Sequence, residues 1–161
     1  IPSCEGPFGE GELRPSLERQ IHELHLDKHV LLAGFREDVL QLVKTADLFV
    51  MSSVTEGLGS TVLDAMAMGL AVVGTRAGGI PETVVHGDTG LLVPPGDAKA
   101  LASGIVQLLG DAVLRRQMGE AGQARVAAEF GVARLVSRTL AAYRRTAGLP
   151  HADHAGAAPS G

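Results

Sequence analysis

One carboxylate and two glycines crowd into a short stretch, Glu56-Gly-Leu-Gly-Ser60, and a second carboxylate, Asp64, lies four residues further on. Gly57 and Gly59 let the main chain pass close to a bound molecule, and Ser60 to Met68 reads as a helix closed by Gly69. The first amides of a helix lack internal partners and carry partial positive charge, so they can hold a phosphate. A glycine-rich turn into a helix is equally a plain tight connection, and by itself it leaves both uses open. The acids add a condition. Ser60 and Asp64 share one helix face, with Glu56 just ahead of it. Carboxylates repel phosphate, so such a site makes sense for a ligand that also offers them hydroxyls. A nucleotide sugar has that layout, with ribose, diphosphate and hexose in a row. From spacing alone, a solvated Asp64 and an ordinary loop charge at Glu56 stand as the alternative.

Composition narrows the partners. The chain has 161 residues, enough for one core, and is 45% apolar but only 3% aromatic, so Leu, Val, Ala and Met must fill the interior. Its formal charge of −4, with one Tyr and no Trp, gives neither a basic stripe nor a stacking platform, which argues against nucleic acid. Cys4 is the single cysteine, which excludes an intramolecular disulfide or a thiol-rich zinc site and fits a reducing compartment. His22 with His25, and His151 with His154, read as solvated rather than as metal pairs, and no metal site is expected. No apolar run reaches the roughly 18 residues of a membrane span. The chain opens at Ile1 rather than Met and is read as a fragment.

The elements that position the acids follow from periodicity. Helical spacing over Arg14–Leu26 precedes a buried strand predicted at His29–Ala33, then a helix over Glu37–Ala46 and a strand at Leu48–Met51. Beyond the helix from Ser60, a third strand is predicted at Ala71–Gly74 and a fourth at Gly90–Pro94. One helical turn is expected at Glu82–Val85, and Asp97 caps a helix over Ala98–Leu109. Val113–Ala147 is helical with a break near Phe130-Gly131. Strands alternating with helices across short connections predict an α/β fold, a Rossmann-like parallel sheet flanked by helices. Ligands of such sheets bind beyond the carboxyl ends of the strands, so Gly34–Glu37, Ser52–Ser60 and Thr75–Pro81 are expected to line one crevice. Residues 1–147 are expected to form this domain and 148–161 a disordered tail.

Taken together, Ser53-Val-Thr-Glu-Gly-Leu-Gly-Ser-Thr-Val-Leu-Asp-Ala-Met-Ala-Met-Gly-Leu-Ala-Val-Val73, Thr75-Arg-Ala-Gly-Gly-Ile-Pro-Glu82 and His86-Gly-Asp-Thr-Gly-Leu-Leu-Val93 resemble the C-terminal domain of family 4 glycosyltransferases. These are retaining enzymes of the GT-B architecture, and the likeness runs from about Gly9 through Ala147. It implies one half of a GT-B fold that binds a nucleoside-diphosphate sugar, based on uridine or guanosine, without metal or other cofactor. Its implied partner is an N-terminal acceptor domain that this chain lacks.

By that resemblance, Glu56 is the catalytic-site acid that meets donor-sugar hydroxyls, and Gly57, Leu58, Gly59 and Ser60 supply amides to sugar and diphosphate. Asp64 accepts from the ribose, while Gly34, Phe35 and Arg36 lie near the base. Gly78 and Gly79 match a turn that allows close approach, and Pro81-Glu82 is chiefly structural. Two departures stand out. The family usually has Glu at the position of Asp64, a side chain longer by about 1.5 Å. The Gly-Arg-x-x-x-x-Lys segment that brings two cations to the diphosphate is not found in this sequence. The chain alone is therefore expected to bind and not to catalyse. A non-catalytic binding module and half of a GT-B nucleotide-sugar epimerase are the alternative readings. The resemblance implies a cytoplasmic protein, with peripheral membrane association left open for the full-length enzyme.

Overall fold

The computed structural model describes residues 11, 13–57 and 59–147. Leu58 and the 148–161 segment, expected as a donor contact and a disordered tail, lie outside the described residues. The chain divides into two compact units, Ile1–Leu42 and Val43–Gly161.

In the first unit, α1 (Arg14–Glu23) stops earlier than its periodicity suggests. Leu26 N–H donates to Ile21 O and His25 N–H to His22 O, a Schellman closure with His25 at φ 55° in the position usually given to glycine. The strand expected at His29–Ala33 does not form. His29 and Val30 N–H both donate to Leu26 O, at 2.8 and 2.9 Å, and these turn bonds replace a ladder. Leu31 is accordingly 85% exposed. A short helix, α2 (Val39–Val43), ends the pattern.

The second unit holds the sheet. Strands β1 (Phe49–Met51), β2 (Val72–Thr75) and β3 (Gly90–Val93) are parallel and lie in the order β1-β2-β3. Phe49 stands opposite Val72, and Val72 opposite Gly90. Between them run α3 (Ser60–Ala67) and α4 (Ile80–Thr83), followed by α5 (Ala98–Gly110), α6 (Ala112–Glu129) and α7 (Val132–Ala147). This is the predicted α/β architecture of parallel strands and covering helices, with the helical break where Phe130-Gly131 placed it.

β2 and β3 are buried along their whole length because both sheet faces are covered. Val62 and Met66 of α3 pack with Val72, Ile80, Val84 and Leu92 on one face. Val73 and Leu91 meet Leu108 of α5 and Met118 of α6 on the other. Alternation along each strand thus feeds two cores, and fully burying a side chain such as Met66 or Leu108 stabilises by about 1.5–3 kcal/mol.

Helix α6 ties the unit together with polar side chains. Arg115 Nη1 donates to Leu108 O, Gln123 Nε2 to Ala67 O, and Arg125 Nε and Nη2 to Thr83 O and Glu82 O. Each ends on carbonyls that a helix terminus leaves without internal partners. The Asp97 cap forms as expected, accepting from Ala100 N–H at 2.9 Å, and Asp111 caps α6 by accepting from both Val113 and Leu114 N–H. Asp111→Ala should cost about 1–2 kcal/mol and Asp97→Ala nearer 1 kcal/mol, read as shifts in urea midpoint at unchanged slope.

Candidate functional site

The site is built at the carboxyl ends of β1 and β2. After β1 the chain runs through Ser53 to Glu56 and enters α3 at Gly59, the N-cap residue, whose left-handed φ of 69° and ψ of 46° suit glycine. No side chain caps α3. Val62 and Leu63 N–H return to Gly59 O, while Ser60 and Thr61 N–H make no hydrogen bond to a described residue. At its other end Gly69, at φ 79°, closes α3 with Gly69 N–H on Met66 O and Leu70 N–H on Ala65 O. The buried side of the helix, Val62, Ala65 and Met66, fixes its rotation. Ser60 and Asp64 are left together on the exposed side.

The half-buried Glu56 carboxylate is held at this helix start. Ser53 Oγ donates to Oε2 and Gly57 N–H to Oε1, both at 3.1 Å. One amide that the sequence reading gave to the ligand is thus engaged by the neighbouring acid. The Asp64 carboxylate has no hydrogen-bonding or ionic partner among the described residues, which leaves it free to accept from a ligand hydroxyl.

The loop after β2 lies directly on the loop after β1. Gly79 N–H donates to Gly57 O at 2.7 Å, and Thr75 Oγ1 donates to Ser53 O. A β-carbon at Gly78 would overlap the carbonyl oxygen of Glu56, and Gly78 has a φ of 49°. Two of the three predicted crevice loops therefore meet. The third, with Gly34, Phe35 and Arg36, belongs to the first unit. There Gly34 takes a φ of 65° and Phe35 is 62% exposed. Arg36 is bound at two points by Asp38, Nε to Oδ1 at 2.7 Å and Nη2 to Oδ2 at 2.6 Å. The hydrogen bond to Arg36 is the main cause that holds Asp38 below the ordinary carboxylate range, so this exposed clip persists above that range and opens as pH falls through the lowered one.

The same edge bears a cavity of about 180 Å³ beside Ser52, Thr75 and Asp97. It includes neither Glu56 nor Asp64, and the Asp97 carboxylate is already committed to its cap. The start of α3, by contrast, leaves the Ser60 and Thr61 amides and the Asp64 carboxylate without partners among the described residues.

Residues 8–125 match the family described as glycosyl transferases group 1. The chain belongs to that family. Among its relatives is the N-acetyl-alpha-D-glucosaminyl L-malate synthase of Bacillus anthracis, 38% identical over 81% of this chain and 34% of the relative. A solved Anabaena protein, HepE, in complex with UDP-glucose superposes with a TM-score of 0.76 at 33% identity, over 84% of this chain and 38% of that one. The C-terminal domain of a Francisella tularensis glycosyl transferase group 1 family protein, LpcC, gives 0.70 at 30% identity over 75% and 64%. The chain spans about a third of the length of the curated relatives it matches. No helix of the described residues is long and apolar enough to cross a membrane.

Sequence reading missed the residues that support this turn. The sequence places Ser53 and Thr75 in crevice-lining segments without a side-chain role and gives Arg125 none. A serine three residues ahead of a glutamate is a faint local signal for the first. The other two act on main-chain carbonyls 22 and 42 residues away, which no local pattern marks.

Proposed function

We propose that this chain is the donor-binding half of a retaining glycosyltransferase, with residues 1–147 serving a nucleoside-diphosphate sugar of uridine or guanosine. The observation that carries the reading is the open start of α3, where the Ser60 and Thr61 amides stand between Glu56 and Asp64. Anabaena HepE, solved with UDP-glucose, supports the ligand class. In this reading the helix start takes the diphosphate, Asp64 accepts from ribose and Glu56 from the hexose. Gly34, Phe35 and Arg36 serve the base, an assignment that rests on the resemblance alone.

Transfer then proceeds on one face of the sugar. The acceptor oxygen bonds to the anomeric carbon as the bond to the diphosphate oxygen breaks, and the acceptor proton passes to a departing phosphate oxygen. The protein's work is positioning and stabilising the leaving charge. A helix start contributes about 0.3–1 kcal/mol to an anion, and up to about 2 when partly buried, against the roughly 8 kcal/mol or more that catalysis requires. The cations and the acceptor site must come from elsewhere in a parent protein, so this chain should bind without turnover.

Calorimetry with UDP and with GDP, each with and without chelator, tests the reading. One nucleotide should bind weakly and equally well after chelation. Binding of neither at millimolar concentration would overturn the donor assignment, and a large loss on chelation would overturn metal independence.

A further inference from the structure

The loop carrying Gly78 and Gly79 is anchored from behind. Its first end is set by Gly79 N–H on Gly57 O and by the approach of Gly78 to Glu56. It continues into α4, a single turn of four residues whose terminal carbonyls need partners from outside. Arg125 of α6 supplies them, with Nε to Thr83 O and Nη2 to Glu82 O, both at 3.0 Å. Its remaining nitrogen, Nη1, donates to Glu129 Oε1 at 2.9 Å, and the guanidinium lies over the Phe130 ring with 5.8 Å to the centroid. The side chain is 23% exposed and is fixed at every hydrogen-bonding nitrogen. A guanidinium meets two adjacent carbonyls and a carboxylate from three separate nitrogens of one rigid plane, an arrangement that the single nitrogen of a lysine does not reproduce.

We propose that Arg125 is a positioning residue for the donor site: by clamping the end of α4 it holds Gly78-Gly79 against Glu56-Gly57. The proposal rests on the reading of this turn as the donor site. It assigns Arg125 no contact with the ligand. Its effect passes through three linked points, Arg125 to the Glu82 and Thr83 carbonyls, α4 to Gly79, and Gly79 N–H to Gly57 O. Loosening the first should free the last and let the Glu56 turn move away from α3.

Amide hydrogen exchange on the full chain, paired with UDP and GDP calorimetry, separates this relay from a general loss of stability. In Arg125→Ala the Gly79 amide should lose about tenfold or more in protection, while the β2 amides keep theirs and affinity for whichever nucleotide the unaltered protein binds falls by about tenfold. Arg125→Lys should show smaller changes in the same direction, and it carries the test if the alanine variant does not fold. Equal loss of protection at Gly79 and β2 would make Arg125 merely structural and overturn the proposal. So would unchanged Gly79 protection, or lost protection with undiminished affinity. If the unaltered protein bound neither nucleotide, the donor reading and this role would fall together. The exchange result, read without nucleotide, would still show whether the relay itself had failed.

Discussion

Gly78→Ala should be the most damaging single methyl group that can be added near the site. A β-carbon there would overlap Glu56 O, and the backbone sits at φ 49°, in the left-handed region. The left-handed conformation costs a non-glycine residue about 1–2 kcal/mol, and an overpacked contact about 1–3 kcal/mol more, so a total of roughly 2–5 kcal/mol is expected. The obstacle is main chain rather than the tip of a flexible side chain, so relief requires the Glu56 turn itself to move. Two losses should therefore appear together, a fall of about 10 °C or more in thermal midpoint and a fall of about tenfold or more in nucleotide affinity. Gly119→Ala is the control. Its β-carbon would overlap Gly69 O, where α6 crosses the end of α3, and Gly119 is on no site loop. It should lower the midpoint and leave the affinity of the folded protein unchanged. If Gly78→Ala bound nucleotide normally, the contact between the two loops would have no part in the site.

Asp64→Ala and Glu56→Ala should fail in different ways. Asp64 stands free on the exposed face of α3, assigned to the ribose, so its loss should weaken a nucleoside diphosphate and its sugar conjugate by the same factor. One charged hydrogen bond is worth about 1.5–3 kcal/mol, which is roughly ten- to a hundredfold in affinity. Glu56 is assigned to the hexose, so its removal should weaken only the conjugate. The geometry sharpens that expectation. Glu56 Oε1 now occupies the Gly57 amide, so Glu56→Ala frees one donor and deletes one negative charge beside the phosphate position. The bare diphosphate should therefore bind equally well or somewhat more tightly. Calorimetry with UDP and UDP-glucose, or their guanosine counterparts, measures both variants. Equal losses for the bare diphosphate would end this division of labour, and no loss with either variant would return both acids to ordinary surface charges.

What proved legible in the sequence is what short-range chemistry sets. Glycine at 69 closes α3 because a left-handed residue is needed there, and Asp97 caps α5 because its carboxylate reaches an amide three residues on. The strands β2 and β3 showed as unbroken apolar runs because both their faces are covered. The same reasoning failed at His29–Ala33, also an apolar run. A strand depends on a neighbour for its ladder, and Leu26 O had already taken the His29 and Val30 amides. Asp111, two residues ahead of a predicted helix, was overlooked as a cap although it serves two amides.

By itself, then, the sequence determined the α/β class, the open glycine start of α3 and the shared face of Ser60 and Asp64, because each depends on residues within a few positions of one another. Only the tertiary structure decided that the Gly78 turn lies on Glu56, that Ser53 and Gly57 hold the Glu56 carboxylate, and that Arg125 grips the end of α4. Gly78 and Glu56 lie far apart along the chain and meet because parallel strands place successive loops at one end of the sheet, whereas Arg125 reaches α4 because its neighbour Val126 packs on the core that holds Ile80 and Val84. Backbone carbonyls accept hydrogen bonds whatever the side chain. The sequence therefore carries no mark of which carbonyl a distant arginine will reach until the fold has brought them together.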